Sequence, residues 1–327
     1  MGLLLSVLLG FIPMLLFAWF VYWLDRYEKE PAILLGAVFL WGALVAAGAA
    51  FILNTLFGLG IYAFTGSESA TDLTTGMLIA PVVEESVKGF AVLLVFLIFR
   101  SEFDSLLDGL IYAAVVALGF AASENAYYIY HLGFAENGMG GLIGMAFVRV
   151  VLVGWQHPFY TAFIGIGLAL ARLNDNANVK IAALAAGWVA AVLTHSIHNA
   201  LASLLSGTGG LAVGTLIDWA GWVAMFLVVL WAINRERIYI RSYLKEELDL
   251  GLITPTQYQT ASSAWSQSGA RLTALFSGHY RQTARFYQAC AELAHKKNQL
   301  SQLGDENGNA DIIDNLRLEL GRLSKLV

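Results

Sequence analysis

Seven apolar stretches, each long enough to cross a bilayer, leave this chain little choice of fold. They lie near 3–23, 32–57, 75–98, 108–130, 147–171, 181–204 and 211–234, and about 20 helical residues span the hydrocarbon. Lipid offers no hydrogen bonds, so a crossing segment must satisfy its backbone groups internally, which makes each stretch a helix. The expected fold class is therefore all-α, a polytopic transmembrane helical bundle. Only 13% of the residues are charged, against about a quarter in soluble domains, and mean hydropathy is +0.65. The first apolar run, Leu3 to Trp23, lacks a basic leader and a small-residue cleavage site. It reads as a retained span.

The connections fix an expected orientation. Arg26 and Lys29, Arg100, Arg172 and Lys180, and finally Arg235, Arg237, Arg241 and Lys245 occupy every second connection, and the ones between carry no Lys or Arg. Positive residues mark the cytoplasmic side. Seven spans with the N-terminus outside and the C-terminus inside follow. Arg149, in the outer turn of the fifth span, departs from the pattern and is expected to snorkel outward or to pair with an inner carboxylate. Of the 19 Lys and Arg residues, 12 lie from Arg235 onward, so the chain divides into a transmembrane region, 1–238, and a cytoplasmic helical C-terminal region, 239–327. Within the latter, Thr254-Pro255 reads as an N-cap with proline opening the helix. Long amphipathic patterns run over 271–303 and 310–326, separated by a turn-rich 304–309. Breaks are expected at Gly138–Gly141 and Gly207–Gly210. The one cysteine, Cys290, excludes an internal disulfide or a cysteine-rich metal site.

Charged groups inside hydrocarbon cost a few kcal/mol each and mark function by default. Glu84, Glu85 and Lys88 lie in the third stretch, Glu124 and Asn125 in the fourth, His157 in the fifth, His195, His198 and Asn199 in the sixth, and Asp218 in the last. At about 1.5 Å per residue, Glu84 lies roughly 14 Å from the outer end of its span, Glu124 roughly 9 Å, His157 roughly 15 Å, and His195 and His198 roughly 8–13 Å. Polar groups from antiparallel helices thus share one outer-to-middle level, which points to a single site. Glu84 and Lys88 are i,i+4 and are expected to neutralise each other in part. His195 and Asn199 share a face, with His198 close to it.

This set permits hydrolysis. A carboxylate in a low dielectric can act as a general base towards water, with histidines and an asparagine opposite to stabilise an oxyanion. Glu and His could equally hold Zn²⁺ with one open position. The residues leave both routes open, with Glu84 or Glu85 as the base. Structural readings stand beside these: an ion pair of the glutamates with Lys88 or Arg149, an interhelical hydrogen bond from Glu124, and a His157 that satisfies backbone freed by Pro158. Asn125 and Asn199 could equally be glue between helices, and Asp218 reads as structural.

Glu84-Glu85-x-x-Lys88, Phe120-x-x-x-Glu124-Asn125, His157 and His195-x-x-x-Asn199, in that order, resemble the motifs of the PrsW intramembrane proteases, part of a wider group of CAAX-processing and bacteriocin-immunity-type membrane proteins. Asp25 to Pro31 resembles that family's acidic, proline-ended loop. The resemblance covers about 15–235. It implies a helical intramembrane endopeptidase in a cell membrane, of the bacterial inner-membrane kind, that cleaves single-span membrane proteins such as anti-sigma factors. It further implies catalytic roles for Glu84, Glu85, Glu124, His157 and His195, with Lys88, Asn125, His198 and Asn199 in support. Glu124, His157 and His195 would be the ligands of a possible zinc ion. Glu124 stands where the CAAX-processing branch has histidine, which argues against prenyl-protein processing. The lipid bilayer and a single-span substrate are the expected partners, no nucleic acid is expected, and the oligomeric state is left open. The rival readings are a proton-coupled transporter, in which Glu84, Glu124 and the histidines form a relay, and an inactive scaffold presenting the tail. Seven spans do not halve into the repeats common in transporters.

Overall fold

The computed structural model describes residues 1–205, 208–305 and 308–327. Gly207 of the expected Gly207–Gly210 break, and Glu306 and Asn307 of the expected turn, lie outside these residues. Among the described residues the chain is helical throughout its regular structure, with no strand. It divides into two units.

The first unit takes in Met1–Trp23, Pro31–Arg172 and Asn176–Val228. Its helices are α1 (Gly2–Leu24), α2 (Ala32–Leu40), α3 (Ala47–Thr65), α4 (Glu68–Thr74), α5 (Ala80–Ile98), α6 (Leu106–Tyr128), α7 (Ala135–Ala146), α8 (Gln156–Arg172), α9 (Ala177–Leu204) and the first part of α10 (Thr208–Tyr243). A π-helical turn, Trp41–Ala46, joins α2 to α3 without a break. The second stretch therefore runs on to Thr65 rather than ending near residue 57. Gly58 and Gly60 do not stop it, because a helix end there would leave carbonyls unpaired beside apolar neighbours. Ser67 caps α4, accepting from the Ala70 N–H at 3.2 Å. Ser105 and Asp108 form a capping box at α6, and Asn176 caps α9.

Among the described residues, five helical stretches are long and apolar enough to cross a membrane: Gly2–Leu24, Ala32–Thr65, Leu106–Arg172, Ala177–Leu204 and Ala212–Asp249. Two features separate this from seven spans. The third expected span, α5 with the π-helical turn Thr75–Ile79 before it, carries three charged side chains. The fourth and fifth form one helical run, folded back at Gly138 (φ 60°) and broken again at Val153. Gly133 and Gly141 touch across that hairpin; a Cβ on Gly141 would lie 2.3 Å from the Gly133 carbonyl oxygen.

α6 sits at the centre, with Leu107, Ile111, Val116 and Leu118 all buried. The outer helices leave Leu16, Phe64, Ile181, Leu193 and Val223 exposed, a surface that lipid covers at no cost and water would not. Glycines bring α8 against the centre: Cβ atoms on Gly109 of α6 or Gly165 of α8 would come within 2.3 Å of the other's carbonyl oxygen. Gly167 and Gly187 allow a like approach of α8 and α9, where added Cβ atoms would lie 2.5 Å from the Ala183 and Phe163 carbonyl oxygens. Close backbone approach of this kind is how helices associate in lipid.

The second unit comprises Leu24–Glu30, Leu173–Asp175 and Val229–Val327. The boundary at 238/239 falls inside α10, and the 24–30 connection belongs with the tail. α11 (Lys245–Asp249), α12 (Pro255–Ala261), α13 (Ala264–Phe276), α14 (Tyr280–Leu303) and α15 (Asn309–Leu323) complete it. The amphipathic run expected over 271–303 is two helices, since Gly278 takes φ 79° between them. Tyr27, Ile240, Leu244, Phe286, Leu293 and Leu320 share its core. The Tyr27 hydroxyl accepts from the Ala264 N–H at 3.2 Å, and the Lys29 N–H donates to Gln288 Oε1 at 2.9 Å. Fully buried Glu247 is neutralised by Lys297 and Arg317, each at 3.0 Å. Cys290 is buried in this core, and burial pushes its thiol well above the ordinary range. Maleimide is therefore expected to leave the folded protein unlabelled and to modify one site per chain only once this unit is unfolded; labelling under native conditions, read by mass spectrometry, would contradict the packing.

Candidate active site

The paired glutamates sit one turn into α5, after Pro81 in its first turn. Adjacent helix residues point about 100° apart, so Glu84 and Glu85 meet different neighbours. Glu85, with 0% exposure, turns inward towards α8 and α9. Its Oε1 accepts from Lys88 Nζ and lies 2.9 Å from His195 Nδ1. Its Oε2 accepts from Thr161 Oγ1 at 2.8 Å. Lys88 therefore neutralises Glu85 at i,i+3, and not Glu84 at i,i+4 as the spacing suggested. The ammonium also lies 4.5 Å from the centre of the Phe120 ring and 3.4 Å from His157 Nδ1. This is a fully buried ion pair with its remaining hydrogen-bonding capacity filled, the condition under which such a pair is tolerated.

Glu84 faces the other way. Its Oε2 is buried with no hydrogen-bond partner and lies 3.9 Å from His195 Nε2. One ligand atom each from Glu84, His157 and His195 fall within 4.8 Å of one another. The three side chains come from α5, α8 and α9.

His157 is held by the break before it. Val153 is non-helical, and α8 restarts at Gln156 with Pro158 in its first turn. The missing proline N–H costs nothing there. The expectation that His157 repairs backbone freed by Pro158 therefore does not apply. His157 Nε2 lies 2.8 Å from Glu124 Oε2, and Phe120 meets the ring edge-on at 5.2 Å. Tyr160 stacks on His195 at 4.8 Å and donates its hydroxyl to Asp218 Oδ1 at 3.1 Å.

Glu124 joins the group through His157 and also accepts from Arg149 Nη2. Asn125 Oδ1 accepts from Arg149 Nε at 2.9 Å. Arg149 thus pairs inward rather than snorkelling. A cavity of about 460 Å³ opens onto both Glu84 and Glu124. The sequence grouped His198 and Asn199 with His195, and the structure separates them. His198 Nδ1 lies 2.7 Å from Asp218 Oδ2, and Asn199 Nδ2 donates to the Gly76 carbonyl at 2.8 Å. On a helix, i+3 and i+4 neighbours of one residue diverge enough for different helices to claim them. Thr161 and Tyr160 were not legible in the sequence, because a hydroxyl in a span is common and carries no charge to mark it.

The donor set fits a metal. A carboxylate and two histidines with one open position is a known catalytic zinc arrangement. The unpartnered Glu84 oxygen would be free to serve as a ligand, and a histidine whose far nitrogen meets a carboxylate, as His195 meets Glu85, is what metal sites use to fix the ring.

Comparison with known proteins points to one family. The family described as PrsW family intramembrane metalloprotease matches residues 30–232. Protease PrsW of Bacillus subtilis (strain 168) is 29% identical over 223 residues, 68% of this chain and 88% of its own length. Protease PrsW of Clostridioides difficile (strain 630) is 27% identical over 236 residues, 71% of this chain and 89% of its own. That of Geobacillus kaustophilus (strain HTA426) is 28% identical over 212 residues, 65% and 81% of the respective chains. No solved structure matches. With carboxylates and histidines gathered inside apolar helices and the match spanning all of them, the chain belongs to the PrsW family of intramembrane metalloproteases.

Proposed function

We propose that this membrane protein is an endopeptidase that hydrolyses a peptide bond within a single-span membrane protein of the anti-sigma-factor kind. Glu84, His157 and His195 would hold zinc, and Glu124 would act as general base. The observation that carries this is the convergence of those three donors from three helices, of which Glu84 opens onto a cavity that Glu124 also lines. Relative to the sequence reading, Glu84 and Glu124 exchange roles, because of Glu84, Glu85 and Glu124 it is Glu84 whose buried oxygen has no hydrogen-bond partner.

A bound zinc ion would lower the pKa of its water towards neutrality and polarise the scissile carbonyl. The protein's own groups do the rest. Glu124 lines the cavity as a carboxylate held by Arg149 and His157. It takes a proton from the attacking water as the C–O bond forms, and delivers it to the departing nitrogen as the C–N bond breaks. Glu85 accepts a hydrogen bond from His195 Nδ1–H, which keeps Nε2 free towards Glu84. Lys88 and Thr161 hold Glu85 in that task. The site lies in the outer half of a bacterial-type cell membrane, crossed seven times, with the N-terminus outside and the C-terminus in the cytoplasm. The alternation of Lys and Arg between connections supports this orientation. The paired-glutamate motif supports a place in the wider group of CAAX-processing and bacteriocin-immunity-type proteins, and Glu124 in Phe-x-x-x-Glu sets the chain apart from the CAAX-processing branch.

The test is cleavage and metal together. Full-length protein in nanodiscs is expected to cut a single-span peptide internally, read by mass spectrometry, and to carry about one zinc per chain, lost in His157→Ala and His195→Ala. Cleavage that persists in zinc-free protein would overturn the metal assignment. Protein that carries zinc and cuts no single-span peptide would overturn the peptidase reading.

A further inference from the structure

Asn54 is the one carboxamide among the 34 residues of the Ala32–Thr65 helix, which carries no acidic or basic side chain. Its Oδ1 is buried without a hydrogen-bond partner. Across the same cavity, Thr75 Oγ1 in the π-helical turn is also buried without one. Two other hydroxyls on this wall are satisfied: Ser123 Oγ donates to the Ala43 carbonyl at 2.6 Å and Thr55 Oγ1 to the Phe51 carbonyl at 2.7 Å. A polar atom left unpaired in hydrocarbon is costly, and interhelical glue would have found a partner. Asn54 and Thr75 instead share the cavity with the third unpartnered oxygen on its wall, that of Glu84.

We infer that Asn54 and Thr75 form a subsite that holds the main chain of a locally unwound substrate segment beside Glu84. The inference rests on the peptidase reading for the identity of its ligand. Unpaired acceptors call for N–H donors. A transmembrane helix has none to offer, since each amide is bonded four residues back. A segment supplies donors only where its helix has opened, and opening is least costly at Gly- or Ser-rich sequence. The amide of Asn54 can both accept from a freed N–H and donate to a freed C=O, the pair that an opened helix exposes together. Phe51 and Tyr127, their rings 6.2 Å apart, line the same cavity and offer apolar surface to the flanking side chains. The substrate class is thus a single span with a helix-weak centre, and Asn54 and Thr75 select for that centre.

The probe is a fluorescein-labelled synthetic span of about 20 residues with a central Gly-Ser-Gly, compared with one whose centre is Leu-Ala. Binding is measured on full-length protein in nanodiscs, in a Glu84→Gln background to prevent turnover. Asn54→Leu with Thr75→Val is expected to weaken binding of the Gly-Ser-Gly span about tenfold and to leave the Leu-Ala span unaffected. Both changes place apolar groups in apolar surroundings; should the pair not fold, Asn54→Leu alone, with partial recovery by Asn54→Gln, carries the test. Equal affinities for the Gly-Ser-Gly span overturn the subsite. With Glu84 intact, the same substitutions should raise KM by a similar factor and move kcat less. Cleavage with unchanged KM would sink the subsite and leave the peptidase standing. Binding that depends on Asn54 without any cleavage would sink the peptidase and leave the subsite standing.

Discussion

Three glutamates replaced one at a time by glutamine should give three different phenotypes. Glu84→Gln is expected to lose both zinc and activity. A neutral amide oxygen is a poor ligand, and the metal's contribution of several kcal/mol corresponds to three powers of ten or more in rate. Glu124→Gln is expected to keep its zinc and lose about 10²–10⁴ in kcat, the range of a missing general base. Glu85→Gln is expected to bind zinc about 10–100-fold more weakly, because it loses the carboxylate that orients His195. Cleavage of a single-span peptide and metal content on the same preparations separate the three. If Glu124→Gln loses its zinc while Glu84→Gln keeps it, the roles assigned to these two carboxylates are reversed. If all three lose activity together with their fold, read by circular dichroism, the assignment of chemistry to them fails.

Lys88→Met should be the most destabilising single change in the transmembrane region. It leaves Glu85 charged, fully buried and facing only His195 and Thr161. Removing one partner of a buried ion pair typically costs about 3–5 kcal/mol, a large share of the stability of an ordinary domain. Adding Glu85→Gln should recover much of that loss, since no uncompensated charge then remains, and the two substitutions should be strongly non-additive. Detergent-solubilised protein followed by thermal melting reads both effects. A Lys88→Met variant as stable as its parent would show that Glu85 is neutralised by another route.

Much of the site was legible because charge in an apolar helix stands out. Glu84, Glu85, Glu124, His157 and His195 were each marked by that contrast, and the structure brings them together. Asn54 could have been found the same way, as the one carboxamide in its span, but a single amide is weaker in contrast than a carboxylate. The hairpin at Gly138 was foreshadowed by its glycines. The restart of α8 at Gln156 was not, because the apolar run continues through Val153 and hydropathy does not register a broken hydrogen bond. Nor did the sequence place Asp25 to Glu30 with the tail. Tyr27 and Lys29 reach partners more than 200 residues away, and no local pattern encodes such a contact.

The sequence by itself determined the material of the fold and marked the ionisable residues that the structure brings together. Apolar length compels helices in lipid, and the cost of charge there confines ionisable groups to a place that uses them. Only the tertiary structure decided which glutamate is tied up and which is free. On an isolated α5, Lys88 could reach Glu85 at i,i+3 or Glu84 at i,i+4 with nearly equal ease. Thr161 and His195, carried in by α8 and α9 across glycine contacts, take Glu85 and leave Glu84 facing the cavity, a choice made by neighbours remote in the chain.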